Sequence, residues 1–98
     1  MPVLATAAAY AMMISADGGP AKPERVYLES DSFSLSDGTR VRYRNLLDMY
    51  LERKPNLPPA LVLEQHFGAP LRLVSLEGLG ALHELAEELF NARTRVAA

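Results

Sequence analysis

Between Ser32 and Lys54 the spacing of apolar residues changes once, from every second residue to the stripe of a helix. Phe33 and Leu35, then Val41 and Tyr43, alternate with Ser32, Ser34, Ser36, Arg40, Arg42 and Arg44. A two-residue period describes a strand pair with one wet face. After Asn45 the apolar positions are Leu46, Leu47, Tyr50 and Leu51, which suit one side of a helix. The pattern predicts a hairpin over 32–44 and a helix over about 45–54.

The turn of that hairpin can be tested against its own register. A two-residue Asp37-Gly38 loop would set Leu35 opposite Arg40 and Phe33 opposite Arg42. Cross-strand partners share a face, so each apolar residue would then meet a charge. A three-residue loop, Ser36-Asp37-Gly38, instead pairs Leu35 with Thr39 and Phe33 with Val41. It also places Gly38 where a type I turn with a G1 bulge wants a left-handed residue. The three-residue loop is expected.

Elsewhere the chain reads as short strands near 25–30, 60–64 and 71–74, and a closing helix over 76–90. Pro55-Asn56-Leu57-Pro58-Pro59 is a stiff connector, and His66-Phe67-Gly68-Ala69-Pro70 is a turn. Ser75 can cap the closing helix, Asn91 can end it, and 93–98 reads as a frayed tail. Leu79, Leu82, Leu85, Ala86, Leu89 and Phe90 form its apolar stripe, with Glu84, Glu87 and Glu88 outward. Residues 3–16 are apolar or small and fit either a helix or a strand, ended by Asp17-Gly18-Gly19-Pro20. The expected fold is α+β: a small, mainly antiparallel sheet covered by two helices, with an N-terminal apolar helix or strand. All of 1–98 forms one domain, divided into the 1–20 apolar element, a 25–92 core and the tail.

Composition narrows the function. A net charge of −2 does not imply wholesale attraction to nucleic acid or anionic membrane. With no cysteine, thiol catalysis, disulfides and cysteine-ligated zinc are excluded. The 3–16 run is too short to span a membrane and lacks a basic start, so the chain reads as soluble and cytoplasmic.

No convergent catalytic set emerges. His83-Glu84-Leu85-Ala86-Glu87 is an HExxH zinc signature with a carboxylate in the last place. His66 is the only other histidine, so a metal site of His66, His83 and Glu87 is the one conceivable. An ordinary amphipathic helix explains the same letters. Gly78-Leu79-Gly80 lacks the third glycine of a dinucleotide loop, and Asp17, Asp31 and Asp37 lack calcium-loop spacing. No catalytic, metal or cofactor-binding residue is assigned.

The leading expectation is a non-enzymatic protein-binding module: an adaptor, an inhibitor or a small subunit. It would self-associate as a homodimer through the apolar segment carrying Tyr10, Met12, Met13 and Ile14. Two further surfaces are candidates for partner contact, the Arg40, Arg42, Arg44 face and the Glu84, Glu87, Glu88 face. The arginine face alternatively suits nucleic acid, although its alternating aromatic, Tyr43, points to the core side.

Two family resemblances accompany these readings. Val26 to Phe90 resembles the periplasmic domain of the ExbD/TolR proteins, which couple the proton gradient to outer-membrane transport. The shared order is a strand, a hairpin around Ser36-Asp37-Gly38, a helix, a strand near Ala60-Leu61-Val62-Leu63 and a closing helix. Ile14-Ser15-Ala16-Asp17-Gly18 followed by Glu24 resembles the helix end and acidic loop of the all-helical TerB-like tellurite-resistance domains. Either resemblance implies an accessory domain.

Overall fold

A computed structural model describes residues 9–16 and 18–97. The part of the expected N-terminal element before Ala9, together with Asp17, lies outside the described residues. The chain forms strands β1 (Ala9–Ala16), β2 (Lys22–Leu28), β3 (Ser32–Leu35), β4 (Arg40–Arg42), β5 (Leu46–Glu52), β6 (Ala60–Gln65) and β7 (Leu71–Ser75), then helix α1 (Leu79–Ala97). The strands make one seven-stranded sheet in the order β4-β3-β2-β1-β7-β6-β5, and every pairing is antiparallel.

One connection forces this sheet to curl. β4 and β5 are its two outermost strands, yet only the 3-10 turn Tyr43–Asn45 separates them in sequence. Laid flat, seven strands would put those edges roughly 29 Å apart at the usual strand spacing. The link from Arg42 to Leu46 can reach only about 14 Å. The sheet therefore rolls into a half-barrel whose edges approach at this corner.

The hollow side is apolar. Tyr10, Met12 and Ile14 of β1 join Val26, Phe33, Leu35, Val41, Leu61, Leu63, Leu71 and Leu73 there, and Tyr43 fills the corner. Helix α1 plugs the hollow with Leu82, Leu85, Leu89 and Ala92. The Tyr43 ring lies 6.5 Å from Phe33, and its hydroxyl donates to the Glu29 carbonyl at 2.8 Å. A phenol can be buried there because its polar end finds a partner. The hairpin closes on three residues: Phe33 faces Val41, the Leu35 N–H donates to the Thr39 carbonyl, and Gly38 has φ +98°.

The α+β expectation of a small sheet under two helices is overturned. Residues 46–52 are a strand, so among the described residues one α-helix rather than two packs on the sheet. Local spacing is ambiguous over so short a run, and pairing with β6, from Glu52 opposite Ala60 to Met49 opposite Leu63, wins over it. Of the expected helical stripe only Leu46 is buried, while Leu47, Tyr50 and Leu51 stand exposed. The described part of the N-terminal element is the central strand and no helix. A strand there buries one face against α1 and leaves the other open, which suits the alternating Tyr10, Met12 and Ile14.

Helix α1 also departs at both ends. Ser75 accepts from the Glu77 N–H in a turn before the helix, rather than capping it. Asn91 does not end it, because Ala92 is buried one residue later and Arg93 reaches back to the Leu47 carbonyl at 2.7 Å. The tail from 93 is helical to Ala97. These differences also part the chain from both resemblances. The 45–54 helix that matched ExbD/TolR is a strand, and a seven-stranded sheet excludes an all-helical TerB-like fold.

Candidate functional site

Two surface features combine exposed apolar side chains with charge. The first is a groove of about 300 Å³ between the edge strand β5 and α1, lined by Met49, Tyr50, Leu51, Leu61, Ala86, Glu87 and Phe90. Leu51 is 37% exposed and Phe90 58%, with Leu47 close by in sequence at 48%. Phe90 belongs to the stripe read as core, but the curl aims the helix's buried face at Leu82, Leu85 and Leu89 and leaves Phe90 beyond the sheet edge.

The strand beside this groove is irregular. A register shift between Leu46 and Asp48 frees the Leu47 carbonyl, which Arg93 takes, and the Asp48 carboxylate accepts the Met49 N–H at 2.9 Å. Bulges and charges of this kind blunt an edge against indiscriminate pairing. The surroundings are acidic. Tyr50 has its ionisation pushed up, first by desolvation and then by Glu64, Glu52 and Asp48. On the helix side Glu87 lines the groove, whereas Glu84 and Glu88 lie on the other flank of α1, near Tyr10 of the central strand.

The second feature is a depression of about 470 Å³ lined by Arg40, Val41, Arg42, Arg44, Asn45 and Phe67. Phe67 is 82% exposed. Its loop is firmly held at the corner of the half-barrel. The Asn45 side chain donates to the Phe67 carbonyl at 2.8 Å and accepts from the Phe67 N–H at 3.1 Å. Gln65 donates to the Ala69 carbonyl at 2.7 Å, and the His66 N–H donates to the Asn45 carbonyl at 2.9 Å. Arg40 and Arg42 lie 3.4 Å from Glu29 and Asp31 respectively. Among the described residues, Arg44 makes no ion pair.

The candidates named from sequence divide as follows. Tyr10, Met12 and Ile14 are buried within the chain's own core, and Met13 alone of that set lies on the outer sheet face. Arg40, Arg42 and Arg44 are exposed together on one edge. Glu87 and Glu88 are exposed on α1, and Glu84 accepts a hydrogen bond from Tyr10 at 3.1 Å. His66 lies in the turn after β6 and His83 on α1, both exposed. Among the described residues, no three His, Asp or Glu side chains converge as metal ligands. No helix of the described residues is long and apolar enough to cross a membrane.

Sequence reasoning missed Phe67, Phe90, Leu51 and Met49. Phe67 lay inside a predicted turn, where a large aromatic with no strand or helix to bury it is itself a signal. The others could not be found without knowing that β5 is an edge. The chain matches no protein-family model, and the curated proteins contain no significant match to it.

Proposed function

We propose that this protein is a non-enzymatic protein-binding module, and that it takes an extended, basic and apolar segment of a partner in the groove between β5 and α1. The observation that carries the reading is the row of Leu51, Met49 and Phe90 left exposed or half-exposed beside β5, an edge strand among the described residues. Extended peptides dock on such edges, with main-chain pairing for affinity and alternate side chains in pockets for specificity. Glu87 and Asp48 supply the charge that a Lys- or Arg-bearing segment complements, while Glu52 is held by Arg72 at 2.9 Å. The Met49 N–H donates to its neighbour's carboxylate at 2.9 Å, a bond open to exchange for a partner's carbonyl.

Selection of a random displayed-peptide library against the full chain tests this. Enriched peptides should alternate basic and apolar residues and shift the amide resonances of β5 and α1. Phe90→Asp should weaken them at least about tenfold, as loss of a buried aromatic anchor does. Peptides that bind Phe90→Asp and Leu51→Asp as tightly as the unaltered chain, or no enrichment, would overturn the reading.

A further inference from the structure

The depression around Phe67 is a second surface, separate in its residues from the β5–α1 groove. Its construction is unusual for a turn. A set of side-chain and main-chain hydrogen bonds from Asn45 and Gln65 immobilises a loop whose central side chain buries almost nothing. Rigidity spent on an exposed aromatic adds little to the stability of the chain itself, whereas a fixed ring is a ready stacking platform. Beside it lie the arginines of β4 and of the 3-10 turn.

We propose that this depression binds single-stranded nucleic acid, with a base stacked on Phe67 and neighbouring phosphates on Arg44, Arg42 and Arg40. Aromatic platforms flanked by basic side chains are the recurring solution for unpaired strands, because every base offers a π-face. Bases in a duplex are already stacked and cannot reach the ring. An acidic peptide could satisfy the arginines but has no planar face for Phe67, so the ring favours the nucleotide. The Arg40–Glu29 and Arg42–Asp31 pairs are long and exposed. Such pairs contribute little and exchange readily for a phosphate. Of the three arginines, Arg44 makes no ion pair among the described residues.

The test is fluorescence anisotropy of labelled oligothymidylate and oligouridylate with the full chain over a range of salt. Binding should weaken with a log–log salt slope of about −0.7 for each arginine engaged, and Arg44→Ser should reduce the slope by about that amount. Phe67→Ala should weaken binding about tenfold with the slope unchanged, because it removes stacking and no charge. Phe67→Tyr should restore most of the loss. Phe67 is too exposed for these variants to unfold the chain, which a melting curve verifies. Absence of binding at low salt, equal affinity of the Phe67→Ala variant, or equal competition by polyglutamate would each overturn the proposal. The last outcome would mark a surface for acidic peptides.

Discussion

The Tyr10 hydroxyl donates to a carboxylate oxygen of Glu84 across 3.1 Å, joining the central strand to the helix that plugs the half-barrel. Burial pushes the Tyr10 ionisation up to about 12, and the hydrogen bond to Glu84 and the charges of Glu84 and Glu88 add to it. The unfolded chain loses this proton near pH 10, while the folded chain holds it to about 12. The unfolded state therefore binds fewer protons in that window, and stability falls as pH rises through it. Urea unfolding followed from neutral pH to about pH 12 should show this decline. Tyr10→Phe should flatten part of it while costing about 1 kcal/mol at neutral pH. Tyr43, whose ionisation burial also raises, accounts for a further part. An unchanged alkaline slope in Tyr10→Phe would contradict the assignment.

Leu85 and Phe90 share the stripe of α1 but not its environment. Leu85 is fully buried and Phe90 is 58% exposed. Leu85→Ala should cost about 2–5 kcal/mol by leaving a cavity in the hollow of the sheet. Phe90→Ala should change stability by no more than about 0.5 kcal/mol. Chemical denaturation of the two variants measures the contrast, and equal losses would place Phe90 in the interior.

Asn45 clips the corner between β4 and β5 to the end of β6 and the loop that follows it. Asn45→Ala removes its hydrogen bonds to Phe67 and Gln65, and the resulting loss should be about 2 kcal/mol. Hydrogen exchange at the Phe67 amide should accelerate well beyond that at the strand centres. Protection equal to that of the unaltered chain would show that the loop is held by other means.

Gly38 tests the hairpin register directly. At φ +98° with open space around it, an added Cβ meets no neighbour, so Gly38→Ala isolates the cost of the left-handed conformation. That cost should be about 1 kcal/mol. Nearby, the Asp37 carboxyl is held below its ordinary value, chiefly by the Thr39 N–H that it accepts at 2.8 Å. Its contribution is present above the ordinary value near 3.8 and is lost as pH falls through the lowered one. Asp37→Asn should reduce the acid sensitivity of the hairpin's amide exchange. An acid profile identical to the unaltered chain's would refute this.

Much of the strand pattern was legible because its cause is local. The alternation in Phe33–Leu35, the turn at Gly38 and the continuous apolar run Ala60–Leu63 each report directly on a pleated backbone. The Leu46–Glu52 segment misled because spacings of one, three and four residues occur in a bulged edge strand as well as on a helix. Phe90 misled for a related reason: a stripe shows which residues share a face, but not how far the partner sheet extends beneath them.

The residue order by itself determined the hairpin register and the buried positions Leu82, Leu85 and Leu89 of α1, since each depends on neighbours within a few positions. Only the tertiary structure decided that β1 lies at the centre of the sheet and that β4 and β5 are its edges. It alone brought Phe67 beside the arginines, and Phe90 beside Leu51. Those juxtapositions follow from the curl that a three-residue link imposes on a seven-stranded sheet. Closure of this kind is a property of the whole chain and leaves no local periodicity to read.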